Sequence, residues 1–457
     1  MQCKKIFLLF ISAFCVGCAA YRPAPLTDRG LDEAIAAPDK KELAREAARL
    51  RHPRIQPVTL DFSKPLTPEE LSVVAVLVNP DLKAVRAREG VADAQVFSAG
   101  LLPDPQLSAG LDHPISPTRG LVNAYNLALS WNVASLITRP SARRAAEAES
   151  EQTRYDVAWQ EWMVANKAQL LAERMAYLEK REAVASEASD SALRLLESTR
   201  RSLAHGDAKI DELGLREAAY IDARDTALAL AREKETARQE LNRLLGLPPA
   251  DPVSITVKPV YDISSLNASD IFAFARRERL DLIALQKGYD AQEERLYGAI
   301  LGQYPGFSLG FSRASDTSKV NTVGISVSID IPVFNRNRGA IAVARATRAQ
   351  LRAEYAARLH QARSDISILE ADIENISRER AALKKELPLL RRAAEAMRGA
   401  MERGDADLVS YEAVRAALLD KELKLLALEQ AASEQRVALQ LAAGAPLHIM
   451  EKEKTDK

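Results

Sequence analysis

Two copies of one unit of about 200 residues make up most of the chain, and this duplication limits its fold more than any other feature. Residues 78–111 align with 278–311 at an offset of 200. Further along, the offset becomes 198, and Gly206-Asp207 matches Gly404-Asp405. Two distant blocks in nearly the same register indicate an internal duplication. We therefore expect two structurally similar halves.

Each copy shows the same order of signals. A helix of about twenty residues comes first (79–101, among short helices, in the first copy and ~279–302 in the second), and two strands, a very long helix, a Gly-Asp turn and a second long helix follow. The predicted strands are ~105–113, ~123–134, ~305–313 and ~322–333. The predicted long helices are ~139–204, ~207–246, ~337–402 and ~405–444. The predicted organisation is a signal peptide (1–17), a lipidated, extended N-terminal segment (18–66), repeat 1 (67–248), a linker (249–267), repeat 2 (268–446) and a flexible tail (447–457).

The strands alternate between apolar and small polar residues. In the last strand, for example, Val323, Ile325 and Val327 alternate with Gly324 and Ser326. Strands of nine to eleven residues with one apolar face suit a tilted membrane crossing, although a soluble sandwich strand alternates equally well. Four strands cannot close around a water-filled pore, so a membrane role requires several chains.

The long helices carry apolar residues at heptad spacing. About 66 residues of helix span roughly 100 Å, a length that needs coiled-coil packing for support. One residue, Arg380, interrupts the apolar run of the second copy. The run consists of Leu359, Ala362, Ile366, Leu369, Ile373, Ile376, Leu383, Leu387, Leu390, Ala394, Met397 and Met401.

The N-terminus has the pattern of a targeting segment. Lys4 and Lys5 precede an apolar run of about eleven residues, which is too short to span a bilayer. The run ends at Val16-Gly17-Cys18 and resembles a bacterial lipobox, although Cys15 occupies the place where leucine is usual. We expect a covalent lipid on Cys18 and no other cofactor; an ordinary signal peptide is the alternative. No apolar run of eighteen residues follows, so no transmembrane helix is predicted.

Bulk composition argues against several classes of function. The 63 basic and 63 acidic residues balance, so nothing in the net charge favours nucleic acid. The five histidines are scattered, and no pair has metal-ligand spacing. No phosphate-binding loop or nucleophile motif occurs. We expect neither an enzyme nor a metal site.

Several short motifs in their duplicated order resemble the TolC-like outer-membrane efflux family. They are Asn79-Pro80-Asp81-Leu82 with its echo Arg279-Leu280-Asp281-Leu282, Leu102-Pro103-Asp104-Pro105, Ile331-Pro332-Val333-Phe334-Asn335, the paired Gly-Asp turns and Leu245-Gly246-Leu247-Pro248. The resemblance covers nearly everything after about residue 66.

The resemblance implies a fold that is mainly α with a β-barrel portion. Three chains would build a twelve-stranded outer-membrane barrel continued by a periplasmic α-helical barrel. The partners implied are two further copies of the chain, a periplasmic adaptor, an inner-membrane pump and outer-membrane lipid. The function implied is a passive exit duct of a tripartite efflux system. The segment Phe334–Gly339 is similar to that of heavy-metal efflux members, while drugs, organic solutes and peptides stay open as cargo.

The resemblance also places the Gly-Asp turns at the periplasmic entrance, where the adaptor docks. The candidate residues are Gly206, Asp207, Gly404, Asp405 and Asp407. In an oligomer the aspartates would form a ring of like charge that attracts cations. Glycine and aspartate also suit a tight turn and a helix cap without any such role. Some family members carry gating carboxylates six and nine residues after the second glycine, where this chain has Ser410 and Ala413.

The sequence is also compatible with a second class of function. The long coiled-coil helices also fit a periplasmic structural or adaptor lipoprotein without a pore. Adaptors usually carry one helical hairpin, whereas this chain has two hairpins and strands of membrane length.

Overall fold

A computed structural model of the chain describes residues 20–115, 119–257 and 267–450. The predicted signal peptide and Cys18 lie outside the described residues. The described residues up to Pro38 form one compact unit, and those from Asp39 onward form another. The first unit contains α1 (Asp28–Ile35). Thr27 caps its N-terminus, since the Thr27 hydroxyl accepts a hydrogen bond from the backbone N–H of Gly30.

The second unit contains the two repeats, and each repeat ends in a hairpin of long helices. A short helix, α2 (Lys40–Ala47), precedes them. The first repeat has α3 (Pro68–Val78), α4 (Pro80–Gly100), β1 (Gln106–Asp112), β2 (Ala124–Asn132), α5 (Ser135–His205) and α6 (Ile210–Leu244); the second has α7 (Ala268–Glu278), α8 (Leu280–Leu301), β3 (Gly306–Ser315), β4 (Asn321–Asp330), α9 (Arg338–Arg403) and α10 (Leu408–Ala443). The sequence did not predict α7, the counterpart of α3.

The prediction of an extended segment over 18–66 is wrong where α1 and α2 lie. The carboxylate of Asp39 caps α2 by accepting a hydrogen bond from the backbone N–H of Lys41 at 2.8 Å. Leu43 and Ala47 of α2 are buried in one core cluster with Leu71 of α3. A cap and two buried apolar residues are enough to hold an eight-residue helix in a packed context, and overall composition does not reveal them.

Four long helices pack side by side. Helix α6 packs on α5, α5 packs on α10, and α10 packs on α9, which gives the order α6–α5–α10–α9. Helices α5 and α9 have 71 and 66 residues, so each is about 100 Å long. Every predicted heptad position of α9 from Leu359 to Met401 is buried or half-buried, Arg380 included. The heptad pattern therefore marks the face by which α9 joins the layer.

The strands form one antiparallel sheet in the order β1-β2-β3-β4. Each repeat contributes one hairpin, and β2 pairs with β3 across the repeat boundary. The register puts apolar residues in rows on one face, such as Leu107, Leu129, Phe311 and Ile325. The other face carries small polar residues. In one of its rows, Ser108, Ala128, Ser312 and Gly324 are aligned.

No helix in the described part of the chain combines the length and the apolar character that crossing a membrane requires.

In each repeat, one residue forms the joint between the first two helices, α3 and α4 or α7 and α8. The side chain of that residue donates a hydrogen bond, the closing contact of the repeat, to the end of the last helix of the same repeat. In repeat 1 the joint is Asn79, whose side-chain amide donates to the carbonyl oxygen of Leu244 at 3.0 Å. In repeat 2 the joint is Arg279, whose guanidinium donates to the carbonyl oxygen of Ala442 at 3.0 Å. Leu244 and Ala442 are equivalent positions in the 198-residue register. The two repeats thus use different side chains to satisfy the equivalent backbone carbonyl at a helix end, which has no partner within its own helix.

The closing contact of repeat 2 is more elaborate than that of repeat 1. Arg279 forms a two-pronged ion pair with Asp281, at 2.8 and 3.2 Å, and both side chains are buried. Its guanidinium also lies 4.9 Å from the ring centre of Trp159 on α5. A Cβ atom on Gly444 would lie 3.0 Å from Arg279. The joint of repeat 2 therefore packs against the neighbouring repeat as well as against its own helix end.

The predicted flexible tail (447–457) is wrong for its first residues. Residues 447–450 are helical, and the backbone N–H of Ile449 donates to the carbonyl of Pro446 at 3.1 Å. Leu447 and Met450 are buried in a cluster with Ile271 of α7. These apolar side chains pack on α7 despite the charged sequence that follows them. Residues 451–457 lie outside the described part.

Candidate functional site

The two Gly-Asp turns that the sequence selected have the same backbone geometry. Gly206 and Gly404 have φ angles of 81° and 82°, in the left-handed region. The following N–H groups of Asp207 and Asp405 each donate to a carbonyl five residues earlier, at 2.9 and 2.8 Å. This is the Schellman arrangement, in which glycine is favoured because it has no Cβ. The structure thus gives both turns a local structural cause; their role as an entrance stays a prediction.

The aspartates of the second turn already have partners within their own chain. The carboxylate of Asp405 is 3.1 Å from the guanidinium of Arg403, on the surface. Asp407 caps α10 by accepting a hydrogen bond from the backbone N–H of Ser410 at 2.6 Å. That backbone hydrogen bond, together with one from the Ser410 side chain, lowers the pKa of Asp407. The first turn differs, because Lys209, the residue before α6, makes no capping hydrogen bond with its side chain.

A buried carboxylate that the sequence did not single out joins the two hairpins near their tips. Glu412 on α10 is 3% exposed and accepts a hydrogen bond from the hydroxyl of Ser191 on α5. The guanidinium groups of Arg194 and Arg415 are 3.7 and 3.8 Å from its carboxylate. Burial of a charge is tolerated with this number of partners. Glu412 lies between Ser410 and Ala413, the positions to which the family resemblance assigns gating carboxylates.

The equivalent position in the first repeat holds Gly214, which is exposed. The difference between glutamate and glycine at this equivalent position was therefore a sequence signal that could have identified Glu412. Next to it, a cavity of about 270 Å³ lies between α5, α6 and α10. Seven of its fourteen lining residues are alanines, and Arg216 and Asp420 also line it. The hairpins are packed loosely here and held by a polar contact.

Further from the tips, α5 and α10 share a second buried polar contact. Glu173 on α5 is 2% exposed, and its carboxylate is bonded to Ser433 and Arg436 of α10. Burial raises the pKa of Glu173, and the nearby guanidinium of Arg436 opposes that shift. Tyr177, one turn along, is also buried, and burial raises its pKa to about 12. The positive charge of Arg380 on α9 opposes that shift.

Residues 51–55, which we call the N-terminal strap, lie in the connection between α2 and α3 and contact both repeats. The side chain of His52 is 1% exposed, and its Nε2 atom lies 3.0 Å from the carbonyl oxygen of Ala158 on α5. Arg54 donates to the carboxylate of Glu278 on α7 at 2.7 Å. The strap thus joins α5 of repeat 1 to α7 of repeat 2.

The environment of His52 requires a neutral ring. Its Nδ1 atom accepts the backbone N–H groups of Arg54 and Ile55, each at 3.0 Å, so only Nε2 can carry the proton. Burial is the main cause that lowers the pKa of His52. The carboxylate of Glu161, 3.5 Å from Nε2, acts in the opposite direction, and the charges of Arg54 and Arg86 lower the pKa further.

Acid should therefore weaken the fold through His52. Because its folded-state pKa is lowered, its contribution to stability is present above the ordinary value of about 6.5 and is lost as pH falls through and below it. We expect the midpoint of thermal unfolding to fall between pH 7.5 and pH 5 by more in the natural chain than in His52→Asn. Equal decreases in the two chains would contradict this. His113, an exposed histidine, provides the matched control as His113→Asn.

The sheet presents an unusually large exposed apolar face. Ile325 is 85% exposed, Leu111 is 71% exposed and Val323 is 67% exposed. The remaining exposed apolar side chains on this face are Leu107, Tyr125, Leu127, Leu129, Phe307, Leu309, Phe311, Val327 and Ile329. Monomeric soluble proteins rarely expose an apolar patch of this extent, so the face is expected to contact another apolar phase.

The described residues contain no group of three or more His, Cys, Asp or Glu side chains placed to hold a metal ion.

Comparison with known proteins finds a family match for part of the chain. Residues 274–445, which include most of the second repeat, match the family of outer membrane efflux proteins. The match covers most of the second repeat and relates that part of the chain to outer membrane efflux proteins. No protein with a curated description matches it.

Solved structures of outer-membrane proteins share the fold of this chain over most of its length. The outer-membrane channel OprN is 17% identical, with a TM-score of 0.70 over 94% of this chain and 100% of its own. The CmeC outer membrane channel of Campylobacter jejuni is 16% identical, with a TM-score of 0.68 over 96% and 97% of the two chains. The outer membrane protein VceC of Vibrio cholerae is 17% identical, with a TM-score of 0.66 over 83% and 96%. At these identities the likeness concerns the fold.

Proposed function

We propose that this chain is an outer-membrane efflux channel subunit and works as a trimeric exit duct, closed by contacts between the edges of neighbouring chains. One chain has strands β1 and β4 at the two edges of its sheet, and α6 and α9 at the two ends of its helix layer. Unpaired strand edges are unfavourable in a membrane, where backbone groups have no water to bond. Three chains would supply twelve strands and close both layers together.

The charges and apolar groups on the outer helices support this closure. Helix α6 exposes Leu215 and Leu228, and α9 exposes Ile368 and Leu389. Basic residues outnumber acidic ones on α9, whereas acidic residues outnumber basic ones on α6. Opposite charge with exposed apolar side chains favours contact between α9 of one chain and α6 of the next. The α-helical barrel would form from these contacts.

The two faces of the sheet carry the proposal. The exposed apolar face suits the hydrocarbon of the outer membrane, and the face of serine and glycine suits a water-filled interior. A periplasmic coiled-coil lipoprotein without a pore would leave the exposed apolar face without a contact. We therefore favour the duct over that alternative.

The experiment compares one substitution on each face of the same strand. Val327→Arg puts a charge on the apolar face, at a cost of about 2–4 kcal/mol at the centre of a bilayer. We expect it to abolish trimers and membrane insertion. Ser328→Arg, on the opposite face, should permit assembly and reduce the single-channel conductance in planar bilayers.

The natural chain should conduct ions as a trimer. Absence of conductance, or normal insertion of the Val327→Arg chain, would refute the duct. Reduced insertion by both variants equally would show that folding, and not the face of the sheet, limits assembly. Ser328→Ala is the matched control for loss of the serine alone.

The proposed partners are a periplasmic adaptor and an inner-membrane pump, with docking at the turns of Gly206-Asp207 and Gly404-Asp405. The cargo is a solute delivered by that pump; heavy-metal cations are one candidate class.

We further propose a lipid anchor on Cys18. Labelling with radioactive palmitate tests it: the label should be lost in Cys18→Ser and kept in Cys15→Ser. Retained label in the former would refute the anchor.

A further inference from the structure

We infer that Arg313 binds the phosphate of a lipid headgroup at the loop end of the sheet. The inference rests on the proposed function, because it requires the apolar face of the sheet to contact lipid. It adds a binding site of defined chemistry to a face that otherwise offers only apolar contact.

Arg313 is the only charged residue on the apolar face of the four described strands. Its cross-strand neighbours are Leu127 on β2 and Val323 on β4. The side chain is exposed and makes no ion pair with a described residue. A guanidinium within an apolar surface requires an anion or water, because it cannot lose its charge.

The position of Arg313 along the strand matches the depth of a headgroup. Six residues, or about 20 Å of strand, separate it from Phe307 at the end nearer the helices. Beyond it lies one more row, in which the Tyr125 hydroxyl donates to the Asn321 side chain at 3.3 Å. Aromatic and polar side chains of this kind mark the membrane surface in such sheets. A long arginine side chain can reach the surface from one row inside it.

Nearby protein carboxylates do not serve as the anion. Asp316, in the loop after β3, accepts the backbone N–H groups of Ser318 and Val320 at 2.7 and 3.0 Å. Asp112 lies on the opposite face of the sheet, as the pairing of β1 and β2 shows. A phosphate presents two oxygens to a guanidinium, which gives a paired, charge-assisted hydrogen bond.

The test measures lipid retained by the purified full-length trimer in detergent, by native mass spectrometry. The probes are phosphatidylglycerol, diacylglycerol with the same acyl chains, and inorganic phosphate. We expect retention of phosphatidylglycerol over diacylglycerol, and about tenfold weaker retention by Arg313→Gln. Lys319→Asn is the matched control: it removes a charge at the same end of the sheet, and asparagine tolerates the φ of 68° found there. It should retain lipid like the natural chain.

Equal retention of phosphatidylglycerol by Arg313→Gln and the natural chain would overturn the inference. Equal retention of diacylglycerol and phosphatidylglycerol by the natural chain would also overturn it, even if the variant failed to assemble. Displacement of the lipid by inorganic phosphate at matched concentration would show a site for free anions instead. Conductance separates this inference from the duct itself, since a conducting trimer without lipid preference refutes only the role of Arg313.

Discussion

Replacement of Arg279 by alanine should lower the free energy of unfolding by about 3 kcal/mol. The substitution leaves the buried carboxylate of Asp281 without its two-pronged partner and the carbonyl of Ala442 without its donor. Breaking a buried ion pair typically costs 3–5 kcal/mol. We expect the lower end of that range, because the guanidinium of Arg358 remains 3.7 Å from Asp281.

Thermal unfolding followed by circular dichroism measures this effect. Arg276→Ala is the matched control, since it removes an exposed arginine from the preceding helix. A loss in Arg279→Ala no larger than that of the control would show that the joint of repeat 2 does not hold the helix end in place.

Substitution of Gly444 by alanine should destabilise the fold by about 3 kcal/mol, and the same change at Gly404 by about 1 kcal/mol. Both glycines end a long helix with nearly equal left-handed φ angles, 78° and 82°, so the backbone cost of about 1 kcal/mol is shared. They differ in surroundings: a Cβ on Gly444 meets Arg279 at 3.0–3.1 Å, whereas a Cβ on Gly404 meets nothing within 4 Å. The crowding adds the larger part of the loss at Gly444.

The pair of glycine variants separates backbone strain from crowding. Unfolding of the two chains under identical conditions should differ by about 2 kcal/mol. Equal losses would mean that the closing contact of repeat 2 moves aside without cost. Gly246→Ala provides an intermediate case, since its φ is 59° and the nearest atom, the carbonyl oxygen of Val78, would be 3.4 Å away.

The sequence identified the long helices and strands because their apolar residues recur with a fixed period. The predicted helix over 337–402 corresponds to α9 (Arg338–Arg403), for example. The short helical elements depend on individual caps and packing contacts, which a periodic pattern of apolar residues does not reveal. Helix α2 depends on the cap at Asp39, and the turn at 447–450 depends on packing of Leu447 and Met450 against α7.

The candidate site was only partly accessible from the sequence. The Gly-Asp turns were found because glycine and aspartate are local turn signals, and the structure gives both turns the geometry those residues favour. Glu412 was missed because many helix positions carry a carboxylate, and its burial depends on Ser191, 221 positions away in the chain. In the sequence, Arg279 looks only like a diverged counterpart of Asn79. In the structure it donates to the equivalent helix-end carbonyl with a longer side chain.

The closing contacts of the two repeats also bear on how such a chain diverges after duplication. The backbone acceptor at the helix end is present in both copies, whatever residue supplies it, because every helix end leaves carbonyls to be satisfied. The donor differs between the copies: it is the short amide of Asn79 in one and the guanidinium of Arg279 in the other. Because the longer side chain also reaches Trp159, the closing contact of one copy is at the same time a contact between the copies. A substitution at one helix joint can in this way make the stability of each repeat depend on the other.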